Sequence, residues 1–202
     1  MHIVINRYAG AAVKAEEALP KVRKEFVPLL KGCEGFLGYA TLPTEQGDVV
    51  AFLIWENDKA VMNNREKIRT WVQANLKGFE EPTERFLGEV LVHAAVAPQG
   101  SGSDQSLYCL VRKAEGILTD GPQRQNSGEM LAAAQNVPGF RGMYCAPSDD
   151  DPTRGVVILL CETREQATAV HEATITISRR NQPNMTFRVA ASGQTAILAS
   201  GL

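Results

Sequence analysis

The run Val49-Val50-Ala51-Phe52-Leu53-Ile54-Trp55 decides how this chain must fold. Side chains along a strand point alternately to its two faces. A strand that is apolar at every position therefore has no face to offer water, and both sides must be covered. Helices of its own unit can cover one face, and the other needs a second sheet. A companion run, Gly155-Val156-Val157-Ile158-Leu159-Leu160-Cys161, occurs later in the chain and has the same requirement. Two units lying sheet to sheet, with their helices outside, would satisfy both.

Working outward from the first run, Ile3 to Tyr8 is rich in β-formers and reads as an opening strand. Val13 to Lys31 reads as a helix, with Val22, Phe26, Leu29 and Leu30 on one stripe and Gly32 as its stop. Pro20 and Pro28 should bend or fray it, because each lacks an amide hydrogen. Phe36–Leu42 and Asp48–Trp55 are strands around a polar turn, Asp58–Leu76 is a second helix, and Arg85–His93 is a closing strand. The order β-α-β-β-α-β is that of a ferredoxin-like unit. In the second half, helices are expected at about Gly128–Val137, after the breaker-rich Thr119-Asp120-Gly121-Pro122, and at Arg164–Asn181.

The two halves match in three places and in the same order. Gly35-Phe36-Leu37-Gly38-Tyr39 matches Gly139-Phe140-Arg141-Gly142-Met143, the two apolar runs match one another, and Gly88–Val92 matches Gly193–Ile197. Between the halves lies Ala97-Pro98-Gln99-Gly100-Ser101-Gly102-Ser103-Asp104-Gln105, a composition suited to a connector. The expected organisation is a first unit over 1–95, a linker over 96–105 and a degenerate second unit over 106–202. The expected class is α+β: tandem ferredoxin-like units whose antiparallel sheets form an intrachain dimeric α/β barrel.

Composition narrows function by exclusion. Of 202 residues, 44% are hydrophobic and 22% charged, with Lys+Arg 21 against Asp+Glu 23. There is no basic surplus to draw the chain to nucleic acid or an anionic membrane. No apolar run is long enough to span a bilayer, and the start MHIVINRY does not read as a signal peptide. Cys33, Cys109, Cys145 and Cys161 have no metal or redox spacing, so reduced thiols and a cytoplasmic location are expected. The sequence shows no His/Asp/Glu cluster with metal spacing, no nucleophile elbow and no phosphate loop.

The segment Gly35-Phe36-Leu37-Gly38-Tyr39, the strand ending in Trp55-Glu56, the following Asp58 and Ala60, the closing Gly88-Glu89-Val90 and, in the second half, Pro138-Gly139-Phe140 carry a resemblance. The sequence looks like the antibiotic-biosynthesis-monooxygenase-type domain of the dimeric α/β-barrel superfamily, over nearly all of 2–94 and more loosely over 106–199. That resemblance implies a monooxygenase acting on a small aromatic or quinol-type metabolite without metal, flavin or other cofactor. The substrate is deprotonated and gives its own electron to oxygen, so the protein supplies a dry pocket, a proton acceptor and donors to the developing anion. A non-catalytic small-molecule-binding protein is the alternative. Asn6-Arg7 also resembles the haem-degrading branch, but that branch's Trp and His positions fall near Asn64 and Ala74, so haem binding or degradation is disfavoured. The expected partner is a small molecule, and the fused barrel leaves a homo-oligomer open.

The candidate catalytic residues are Asn6, Asn64 and His93. Asn6 stands among apolar neighbours in the first strand. Asn64 interrupts the helix stripe Asn57, Val61, Asn64, Ile68, Trp71, Asn75, where a buried amide must find a partner or a ligand. Its counterpart, Val170, is an ordinary core residue, which places the expected pocket in the first half only. His93 is a candidate proton acceptor at the end of a strand. The candidate substrate-binding residues are Tyr39, Trp55 and Trp71. Both tryptophans read first as core and second as flat walls for a ligand. Tyr39 reads first as a strand-edge residue with a wet hydroxyl and second as a donor to an anion. His171 lies beside the clearest stripe of its helix and is a weaker candidate base; His2 reads as solvated.

Overall fold

The computed structural model describes residues 1–95, 106–119 and 123–199. The expected linker at 96–105 and the breakers Asp120-Gly121-Pro122 lie outside the described residues. The fold is α+β. The chain divides into two compact units, one of Met1–Leu87 with the C-terminal stretch from Thr195, the other of Gly88–Gln194.

The sheet of the first unit contains β1 (His2–Tyr8), β2 (Phe36–Pro43), β3 (Val49–Trp55), β4 (Glu84–Glu89) and β10 (Ile197–Ala199), in the order β10-β2-β3-β1-β4. That of the second contains β5 (Val92–Ala95), β6 (Tyr108–Glu115), β7 (Phe140–Pro147), β8 (Arg154–Cys161) and β9 (Thr186–Gln194), in the order β5-β7-β8-β6-β9. The pairings β1–β3, β2–β3, β2–β10, β5–β7, β6–β8, β6–β9 and β7–β8 are antiparallel. Each sheet is thus a four-stranded ferredoxin-like core with a fifth short strand beside its second strand. The strands form two separate sheets and not one closed barrel, because the hydrogen-bonded order of each sheet ends at two edge strands.

The helices are α1 (Ala12–Lys21), a π-helical turn (Val22–Phe26), α2 (Val27–Lys31), α3 (Asp58–Asn75), α4 (Gln123–Gln135) and α5 (Arg164–Asn181). None is long and apolar enough to cross a membrane. All seven residues of β3 are buried. Ala51, Leu53 and Trp55 join the core formed with Val22, Phe26, Leu30 and Ala60 of the helices, while Val50, Phe52 and Ile54 point the other way and are equally buried.

The expected first helix is one continuous path with a wide turn in it. The Val27 amide reaches back five residues to the Val22 carbonyl, and Val22 and Phe26 both stay on the core. The expected strand Arg85–His93 is two strands in different sheets. The chain leaves the first sheet at Glu89 and enters the second at Val92, with the Leu91 amide bonded to the Cys145 carbonyl at 2.9 Å. The matching stretch does the reverse: Gln194 ends β9, Ile197 begins β10, and the Ala196 amide bonds the Thr41 carbonyl at 2.8 Å.

The glycine signature is a device of chain geometry. Gly35 and Gly139 have φ of 75° and 79°, the left-handed region where a side chain is strained. A Cβ on Gly35 would come within 2.7 Å of the Ala60 methyl. Their carbonyls accept the amides of Glu56 (2.8 Å) and Glu162 (3.0 Å), tying each strand start to the start of the next helix. A bulge then follows in both, between Phe36 and Gly38 and between Phe140 and Gly142. The helix starts are capped by Asn57, which accepts the Ala60 amide, and by a Thr163–Gln166 capping box.

Candidate functional site

In the first unit the helix-facing layer holds five of the six residues singled out from sequence, and aromatic side chains pack against one another within it. Phe26 stacks on Trp71 with centroids 4.7 Å apart and meets Tyr39 edge-on at 5.5 Å. Trp55 is 1% exposed and packed edge-on against Phe36. Tyr39 is buried, and β10 covers the side of β2 expected to be an edge, so its hydroxyl is not wet. Burial raises its pKa strongly. The Asn64 amide donates to the carbonyls of Ala60 (2.8 Å) and Glu34 (3.2 Å), holding the Gly35 turn against α3. Asn6 is half-buried on β1, and its Oδ1 accepts from the Arg85 guanidinium at 3.1 Å. His93 lies elsewhere: it is exposed on β5 in the second sheet, paired with Tyr144 and stacked over its ring at 6.0 Å. The structure therefore keeps Asn6 and Asn64 in one unit and puts His93 in the other.

The second unit carries what the first lacks. Alternation along β6 turns Tyr108, Leu110 and Arg112 to the side packed by α4 and α5, and Arg112 is 0% exposed. By register Arg112 is the counterpart of Asn6, since each faces the same position of its central strand, Val157 and Ala51. Above it, α5 presents Ala167, Val170, Thr174 and Ser178 inward at three- and four-residue steps, so the stripe becomes polar where the guanidinium sits.

Arg112 Nη1 donates to Thr174 Oγ1 at 2.8 Å and to the His171 carbonyl at 3.3 Å, and lies 3.4 Å from His171 Nδ1. A guanidinium only donates, so Nδ1 is the acceptor and the neutral ring carries its proton on Nε2. The guanidinium carbon lies 4.7 Å over the Phe187 ring. Arg112 Nε and Nη2 have no partner among the described residues. Burial pushes the Arg112 pKa down to about 10, which leaves it charged at neutral pH. Burial and the Arg112 charge together hold His171 below the ordinary imidazole value. Nearby, burial raises the Cys145 thiol to about 12 in spite of that charge, so the thiol is protonated and a poor nucleophile.

A cavity of about 40 Å³ lies in this layer, with Phe187, Val157 and Cys145 among its walls. Its polar lining includes Asn126 and Gln182. Gln182 is 2% exposed and its Nε2 has no partner among the described residues. The pocket was expected in the first half; this cavity is lined by residues of the second unit. The overlooked signal was Arg112 itself, a charge on the inward alternation of β6 with Tyr108, Leu110 and Ala114.

No known protein family matches the chain, and no curated protein matches it. Solved structures do. A Lactobacillus acidophilus protein assigned as a monooxygenase superposes with a TM-score of 0.70 at 13% identity, over 99% of this chain and 96% of that one. An anthrone oxidase-like protein gives 0.58 at 16% identity, over 99% and 93%. A chlorite dismutase variant from Candidatus Nitrospira defluvii gives 0.60 at 12% identity, over 96% and 90%. At these identities the likeness shows the fold alone: an α+β architecture that proteins named for different chemistries share.

Proposed function

We propose that the chain is a cofactor-independent monooxygenase acting on a small aromatic or quinol-type metabolite, with its reacting site in the helix–sheet layer of the second unit. One observation carries this reading: a fully buried guanidinium with, among the described residues, no carboxylate partner and two unused N–H groups, in an apolar layer where its neighbours Val157, Cys145 and Phe187 also wall a cavity. An oxygenase without metal or flavin needs its substrate as an anion. The anion passes one electron to O₂, the substrate radical and superoxide join as a peroxide anion, and return of the proton lost in forming the substrate anion gives the hydroperoxide. Loss of water then leaves one oxygen on the substrate as a carbonyl. Arg112 supplies positive charge where the anion forms, in a medium that screens it poorly.

The likeness to proteins described as a monooxygenase and as anthrone oxidase-like supports the same class. A second reading, ligand binding without turnover, is favoured by His171, whose Nδ1 faces Arg112 and is not free to take a substrate proton. Haem degradation fits poorly: at its helix positions stand Asn64, bonded to two backbone carbonyls, and Ala74, which has no ligating atom.

The test is oxygen uptake against a panel of polyphenols and anthrones. Uptake above buffer that survives Asn64→Leu and is lost in Arg112→Met supports the proposal. Uptake equal to buffer across the panel leaves the binding reading.

A further inference from the structure

We infer that the cavity of the second unit is the binding space for molecular oxygen, the smaller of the two reactants. Its role as a reactant's site rests on the oxygenase reading above; its capacity to take a small apolar gas does not.

The size of the space selects the occupant. Protein interiors are close-packed, with few voids larger than one water. This one measures about 40 Å³, and a single water needs roughly 10–15 Å³ on such a measure. A diatomic gas fits inside. The six carbons of an aromatic ring do not, so the ring of a substrate is met at the rim, where Leu91, Ile117, Gln123 and Pro147 are only half-buried.

The walls select it again. A water held inside a protein makes about three hydrogen bonds, and the polar groups here are already engaged. The Ser127 hydroxyl and the Cys145 thiol bond each other. The Asn126 amide donates to Met130 Sδ at 3.6 Å and to Ser178 Oγ at 3.4 Å, and its Oδ1 accepts from Asn181 at 3.3 Å. Gln123 donates to the Leu118 carbonyl at 2.8 Å, and Gln182 Oε1 accepts from the Leu118 amide at 3.5 Å. The strands β6, β7 and β8 each have a neighbour on both sides, so their amides and carbonyls serve the ladders. Of the buried polar side-chain atoms in this lining, Gln182 Nε2 alone has no partner among the described residues, and one donor is too few to hold a water. No charged side chain is among the described residues of the lining. Ala114, Met130, Val157, Met185 and Phe187 present carbon and thioether sulfur, which attract a small apolar molecule by dispersion.

The position suits the reaction. Val157, Cys145 and Phe187 wall the cavity and also surround Arg112: the first is its strand partner, the second feels its charge, and the third lies under the guanidinium. One electron from the substrate anion turns the oxygen held there into superoxide and leaves the substrate as a radical. The new negative charge then forms near a buried positive one. The guanidinium need not touch it, because charge acts through intervening side chains where the dielectric is low.

The experiment uses the intact protein with methionine methyls labelled for NMR, under dissolved oxygen and, separately, under xenon. Oxygen is paramagnetic and speeds the relaxation of methyls near which it resides. Met130 and Met185 line the cavity, and Met143 is an equally buried reference in the same unit that does not. Oxygen is expected to relax Met130 and Met185 more than Met143, and xenon to shift the same two methyls saturably. Ala114→Leu, which puts a larger side chain into the space, should abolish both responses; Ser127→Leu, on the other wall, serves where the first variant does not fold. Equal relaxation of all three methyls, persistence of the responses in a folded filled variant, or a long-lived water in contact with Met130 and Met185 would overturn the inference. Should neither variant fold, the comparison of methyls in the wild type decides. Oxygen uptake is scored apart. Gas occupancy with no uptake removes the oxygenase and keeps the gas site. Uptake that persists in a filled variant without occupancy keeps the oxygenase and removes the cavity as its source of oxygen.

Discussion

His171 and Arg112 sit close enough for each to set the other's charge, and this can be read by titration. Burial, then the neighbouring guanidinium, disfavours the imidazolium, so the folded-state pKa lies below the ordinary imidazole value of 6.5. The unfolded chain therefore binds more protons than the folded one between the two values. Above about pH 6.5 both states hold a neutral ring and His171 contributes nothing to the pH dependence; as pH falls through that value stability is lost, and the loss levels off below the folded pKa. Arg112→Met should move the His171 pKa upward in an NMR titration and flatten this slope in urea denaturation. An unmoved pKa would mean that the guanidinium does not act on the ring. Exchanging a buried, incompletely paired cation for methionine should itself stabilise, by about 1–4 kcal/mol where comparable exchanges have been made. At this scale the sequence was only partly legible. Trp55 is core and Trp71 packs against it, but Arg112 was passed over as one of 21 basic residues although it shares the inward alternation of its strand with Tyr108, Leu110 and Ala114. Alignment on Glu56 and Glu162 would have set it opposite Asn6. Its lack of a carboxylate partner among the described residues is a property of three-dimensional packing alone.

Among the elements, the apolar runs and helix stripes were legible because burial writes periodicity directly into sequence. The wide turn in the first helix was not. Pro20 and Pro28 each remove an amide, and their positions suggested a bend. The backbone instead takes one extra residue into the turn Val22–Phe26, which keeps Val22, Phe26 and Leu30 all on the core. A π turn amounts to one residue inserted into an α-helix. Deleting the exposed Lys24 should convert it to an ordinary turn and rotate one flanking segment by about 100° relative to the other. Either Val22 with the residues before it, or Leu30 with those after it, then leaves the sheet. A loss of about 2–5 kcal/mol is expected, the cost of emptying one large aliphatic site, read from the urea midpoint. Deletion without loss would show that the wide turn does not set the register of the core. The stretch from Glu84 to Ala95 was misread for a related reason. Its pattern suits a strand throughout, and nothing in residue types marks the point between Glu89 and Val92 where the chain changes sheets.

On the scale of the whole molecule, that change of sheets happens twice and in opposite senses, which is why the first unit takes two pieces of chain while the second is the single piece Gly88–Gln194. The match between Gly88–Val92 and Gly193–Ile197 was visible in the sequence, but it pairs the two crossing points and not two closing strands. Each crossing delivers a short strand to an edge that would otherwise expose its amides and carbonyls. Ile197 sits 5% exposed in the core beside Tyr39, and β10 pairs residues Ile197 to Ala199 with Thr41 to Tyr39. A chain ending at Gln194 keeps every residue of the second unit but strips this strand from the first. Amides across Tyr39–Thr41 should then lose protection from hydrogen exchange. The first unit should lose about 2–5 kcal/mol, the scale of one large core aliphatic, while amides of β6 and β8 keep their wild-type rates. Two separate unfolding transitions, the first unit melting earlier, would follow from that difference. If the β6 and β8 amides loosened to the same extent as β2, stability would be shared across the whole chain, and the division into units would not describe how it unfolds.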